Sequence, residues 1–96
     1  MTTWGTPEER ERRNRIQIAV CAYAYECMDA PIIDDATYDW LAEKIDRSVE
    51  TGHPVLDAFF RDEFSPMTGM WIRDHPEIDG IERIYRRYER VVLRRV

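Results

Sequence analysis

The chain has 96 residues, enough for one domain and too few for two. It is 44% hydrophobic, with three Trp, five Tyr and three Phe, which supports a modest core without disulfide or metal staples. A formal charge of −5 argues against a simple nucleic-acid binder, because phosphate recognition shows as a basic excess, and no apolar run approaches the ~18 residues needed to span a bilayer.

Met1-Thr2-Thr3-Trp4-Gly5 has no charged segment leading into an apolar one, so the expectation is a cytoplasmic protein. Thr6-Pro7-Glu8-Glu9 is a helix start: Thr6 caps, Pro7 suits the first helical position, and Glu9 completes a capping box. The first helix is expected to run to about Met28. Ile16, Ala19, Val20, Tyr23 and Cys27 share one face, and Ile18, Cys21, Ala22 and Tyr25 lie opposite. Its first half should carry its charges outward. Its second half is apolar all round, so it should be covered on two sides or lend one side to a ligand. Cys21 and Cys27 are separated by about 9 Å of helical rise, too far for a disulfide, and are expected as reduced thiols.

Ala30-Pro31 breaks the helix, and Asp34 is the expected cap of a second one. Tyr38, Leu41, Ala42, Ile45 and Val49 set its apolar stripe, and Gly52 with Pro54 ends it. A third helix is predicted over 55–64, carrying Leu56, Phe59, Phe60 and Phe64. Ser65–Gly69 is a turn-rich loop leading to an apolar patch, Met70-Trp71-Ile72, whose state is open. A last helix runs from about Glu77 to Arg94, with Ile78, Ile81, Ile84, Tyr85, Tyr88 and Val92 as its buried face. The predicted fold is all-α: a compact bundle of four to five helices forming a single domain over 1–96.

Charge is segregated along the chain. Residues 26–63 carry a net −8 and residues 81–96 a net +4. Arg83, Arg86, Arg87, Arg90 and Arg94 gather on one face of the last helix. Their i, i+4 repulsion calls for an acidic counterpart: the chain's own acidic middle, a phosphate ligand or an acidic protein. Trp40 stands off the stripe of helix two, beside Glu43, Lys44 and Arg47. It is expected to lie under the Met70-Trp71-Ile72 patch, the alternative being an exposed interaction anchor. His53 and His75 each precede a proline, have no companion at ligand spacing, and are expected to be helix-boundary residues.

The stretch Tyr25-Glu26-Cys27-Met28-Asp29-Ala30-Pro31-Ile32-Ile33-Asp34-Asp35-Ala36-Thr37-Tyr38-Asp39 resembles the N-terminal signature of bacterial NAD-dependent DNA ligases. In those enzymes it reads roughly Tyr-His-x-x-Asp-x-Pro-x-Ile-x-Asp-x-x-Tyr-Asp. Small phage-encoded proteins carrying only this segment look similar. The resemblance implies a nicotinamide-recognition (Ia) hairpin over about 16–50, with 55–96 as a helical extension. It implies that Tyr25, Asp35, Tyr38 and Asp39 contact nicotinamide mononucleotide. Glu26 stands where the family has histidine, and a carboxylate there loses hydrogen-bond donors and repels the ligand's phosphate.

The residues themselves allow the same chemistry. A cationic nicotinamide ring suits an aromatic face and nearby carboxylates, and Asp35, Tyr38 and Asp39 at i, i+3 and i+4 share one face. Capping and core packing account for Asp34, Asp35 and Tyr38 equally well. Ligase catalysis is not expected. The single lysine, Lys44, lies in Lys-Ile-Asp-Arg rather than the family's Lys-x-Asp-Gly, and is expected on a solvated mid-helix face. No phosphate loop, zinc spacing or nucleophile–base pair is evident. The leading expectation is a non-catalytic interaction protein on this scaffold, of the kind phages and mobile elements use as accessory or host-inhibitor proteins. A module binding NAD or nicotinamide mononucleotide comes second, with no cofactor otherwise required. Nucleic-acid binding through the arginine face comes third.

Overall fold

The computed structural model describes residues 5–94, with side chains described through Tyr88. The chain is helical: α1 (Pro7–Glu26), α2 (Asp35–Glu43), α3 (Pro54–Asp62), a 3₁₀ helix (Met70–Asp74) and α4 (Ile78–Arg94). Thr6 Oγ1 accepts the Glu9 backbone N–H at 3.2 Å, and Pro7 opens the helix. The start of α1 is therefore encoded locally.

Helix α1 is the axis of the molecule and packs against α2, the 3₁₀ helix and α4. Seven consecutive residues, Ile18 to Ala24, are buried. This explains why the segment is apolar all round: it is covered on more than one side, as its pattern predicts. Ile16 and Cys27, assigned to the same face, are exposed instead, because they lie beyond the covered stretch. The same core takes in Phe59, Phe60, Phe64 and Trp71, with Phe64 and Trp71 centroids 5.0 Å apart. Its rings meet at tilted or edge-on angles, the arrangement their quadrupoles favour.

The expectation that the first half of α1 carries its charges outward is corrected at Glu11 and Arg15, both buried. Arg15 donates to Glu11 Oε2 at 2.8 Å and to Asp57 Oδ1 at 2.8 Å. Its remaining nitrogen donates to the carbonyls of Asp46 and Val49 at 2.9 and 3.0 Å. The same network corrects α2, which ends at Glu43 rather than reaching Gly52. The Asp46 N–H is accepted by the Glu11 carboxylate at 3.1 Å. The Asp46 side chain binds the Ser48 N–H at 2.9 Å. Groups that would have continued the helical ladder are thus held by a buried ion cluster from α1.

The apolar patch after the loop turns inward as the 3₁₀ helix. Trp71 and Ile72 are buried, while Met70 is exposed. Trp40 is consequently not covered by it. It is 58% exposed, with Lys44 Nζ 4.3 Å from its ring centroid. Lys44 itself is the C-cap of α2 rather than a mid-helix residue. No helix of the described residues is long and apolar enough to cross a membrane.

Candidate functional site

The turn between α1 and α2 sets the site. The Cys27 N–H closes α1 onto the Tyr23 carbonyl at 2.9 Å, and the Ala30 N–H returns to the Ala24 carbonyl at 2.9 Å. Asp29 takes φ +51°, a left-handed conformation that a short polar side chain tolerates. Asp34 then caps α2, accepting the Thr37 N–H at 2.8 Å. Hydrogen bonding from Thr37, its side chain foremost and then this N–H, holds the Asp34 carboxyl below the usual carboxylate range. With both helix ends anchored, the last turn of α1 faces the first turns of α2.

Between them lies a cavity of about 570 Å³ whose lining includes Tyr25, Glu26, Asp35, Tyr38 and Asp39. All five residues singled out in the sequence meet there. Tyr25, Asp35 and Asp39 are exposed at its mouth, and Tyr38 is half-buried. Burial pushes the Tyr38 phenol up to about 12. The nearby Trp71 indole N–H acts in the opposite sense, and Cys21, Glu26 and Asp39 add to the rise. Tyr38 therefore remains a neutral O–H donor at neutral pH. Its oxygen is fully buried and has no hydrogen-bond partner, as is also true of Trp71 Nε1.

The far wall was not foreseen. It comes from the loop Met67, Thr68, Gly69 and Met70. A Cβ on Gly69 would lie 3.3 Å from Glu26 Cγ and 3.4 Å from both Ala22 Cβ and Tyr38 Oη. A side chain here would ask only the flexible Glu26 side chain to give by a few tenths of an ångström, so the loop settles in ordinary contact with the hairpin. The one available signal was the turn-rich composition of Ser65–Gly69, which gives no destination. Beside it, Arg73 Nη2 donates to the Glu26 carbonyl at 3.0 Å and stands 4.0 Å from its carboxylate. Arg73 offsets part of the negative charge that Glu26 brings to the cavity.

The other candidates disperse. Arg86 pairs with Glu82 at 3.0 Å, whose Oε1 also accepts from Tyr23 Oη at 2.9 Å. These hydrogen bonds, Tyr23's foremost, hold the Glu82 carboxyl low. Arg83 and Arg87 instead line a separate groove with Arg12 and His53. The side chains of Arg90 and Arg94, and that of Val92 on the expected apolar face, lie outside the described residues. Ile84 and Tyr88 of that face are exposed, since α4 buries mainly Ile81 and Tyr85 against α1. His53 and His75 are boundary residues, capping α3 and ending the 3₁₀ helix. No cluster of His, Cys, Asp or Glu suited to a metal occurs among the described residues. Comparisons with protein-family models, curated proteins and solved structures give no match.

Proposed function

We propose that the chain is a non-catalytic binding module on a ligase Ia-like hairpin, whose cavity takes the flat cationic ring of a ligand of the nicotinamide mononucleotide class. The observation that carries this is the meeting of Tyr25, Glu26, Asp35, Tyr38 and Asp39 on one cavity, drawn from two helices. Two tyrosines offer π faces to a cationic ring. Three carboxylates favour positive charge and accept hydrogen bonds from ribose hydroxyls and an amide NH₂. Tyr38 meets the cavity through its ring, its hydroxyl being buried beneath the Gly69 loop.

Calorimetry with nicotinamide mononucleotide and with NAD tests it. Saturable heat is expected for the wild type and at least tenfold weaker binding for Asp39→Ala, corresponding to about 1.4 kcal/mol. No heat at millimolar ligand would overturn the assignment.

A second reading, favoured by the exposed Trp40, is an interaction protein such as a phage accessory or host inhibitor. A partner retained from host lysate by the wild type and lost with Trp40→Ala supports it. Retention that ignores Trp40 counts against it.

A further inference from the structure

Away from the hairpin, α1 and α4 border a second groove of about 880 Å³ that shares no lining residue with the first cavity. Its floor is apolar: Phe60 and Ile81 are buried and Leu56 half-buried. Ile16 and Ile84 line it while remaining 40% and 39% exposed. Arg12, Arg83 and Arg87 rim it. Arg15 also borders it but is consumed by Glu11, Asp57 and two backbone carbonyls. Arg12 is steered by its hydrogen bond to the Thr51 carbonyl. At the other end stand Glu77 and Asp79, with Glu77 3.7 Å from His53 Nε2.

We propose that this groove docks an acidic amphipathic helix of a partner protein, a site distinct from the hairpin cavity. Asp79, Arg83 and Arg87 fall at i, i+4 and i+8 of α4, so they form a row along one helix face. The α4 residues that line the groove run from Asp79 to Arg87, roughly 12 Å at 1.5 Å per residue, which offers a wall suited to two turns of a linear occupant. A helix lying in a groove places apolar anchors at i, i+3 or i+4, and i+7 on the floor and polar residues on the rims. Here the floor and the exposed isoleucines receive the anchors, and Arg83 and Arg87 receive carboxylates. Glu77 and Asp79 require the occupant's other end to be neutral or basic, which sets its direction. A nucleic acid fits less well. Its phosphates have no use for an apolar floor, and the chain's net charge of −5 together with Glu77 and Asp79 opposes a polyanion.

The probe is a dye-labelled helical peptide with leucines at i, i+3 and i+7, glutamates on both flanks and one terminal lysine, followed by fluorescence anisotropy. Saturable binding to the wild type is expected. A loss of at least about tenfold is expected for Arg83→Glu/Arg87→Glu and for Ile84→Glu, and none for Arg61→Glu, which lies outside the groove. These residues are exposed, so circular dichroism should show each variant folded. No saturable binding would overturn the proposal, as would a lysine-flanked peptide binding equally well or an affinity indifferent to the three groove substitutions. So would competition by duplex DNA that depends on Arg83 and Arg87 and falls steeply with salt, which would assign the groove to phosphates. A concentration-dependent dimer abolished by Ile84→Glu would assign it to a second copy.

Discussion

Tyr38 shows how one side chain serves packing and chemistry at once. Its ring packs against the core, while its hydroxyl is buried without a partner. An unsatisfied buried hydroxyl costs stability, and its removal is neutral or favourable. Tyr38→Phe should therefore leave stability unchanged or raise it by up to about 1 kcal/mol, measured by urea unfolding. The same substitution should leave nicotinamide mononucleotide binding unchanged, since Tyr38 meets the cavity through its ring. Lost stability would show instead that the hydroxyl has a partner on which the fold depends. Residue type and spacing made Tyr38 legible in the sequence as both stripe and site. They could not show that its oxygen ends beneath Gly69.

Among the elements, α2 is the instructive one. Local signals mark its start, since Asp34 caps it through a contact three residues away. Its end is decided by residues more than thirty positions distant, Glu11 and Arg15. Arg15→Met leaves Glu11 and Asp57 buried without their cation, a change that typically costs roughly 3–5 kcal/mol. The expected result is a much lower thermal midpoint by circular dichroism. Faster hydrogen exchange should appear first at Asp46, whose N–H Glu11 holds. Unchanged stability would mean that the cluster does not organise this loop. Asp57 adds a pH dependence. Desolvation acts to raise its pKa, but the Thr51 hydrogen bonds and Arg15 outweigh it and hold the carboxyl below its ordinary value of 3.8. Its contribution is thus complete above that value and lost as pH falls through the lower, folded value.

At the scale of the whole molecule, His75 is where the 3₁₀ helix, α3 and α4 converge. Its ring lies 5.3 Å from Phe59 and 6.0 Å from Phe60, and Nδ1 accepts the Glu77 N–H at 3.0 Å. Desolvation lowers its pKa below 6.5, with Glu77 acting in the opposite sense. The folded chain therefore prefers neutral His75. Its contribution is present above 6.5 and declines as pH falls through the lower, folded value. Urea unfolding between about pH 7 and about pH 5 should show falling stability, and His75→Gln should flatten that part of the profile. An identical slope in the variant would assign the effect elsewhere.

The sequence by itself determined what depends on neighbours a few positions apart: the caps at Thr6 and Asp34, the apolar second half of α1, the Pro31 break and the i, i+3, i+4 grouping of Asp35, Tyr38 and Asp39. Capping and periodicity act within one or two turns and are written in adjacent residues. Only the tertiary structure decided the burial of Glu11 and Arg15, the early end of α2 and the exposure of Trp40. It also brought the Gly69 loop onto the hairpin and left a groove between α1 and α4. Each of these depends on which distant groups compete for the same hydrogen bond or the same patch of apolar surface, and helical spacing carries no record of that competition.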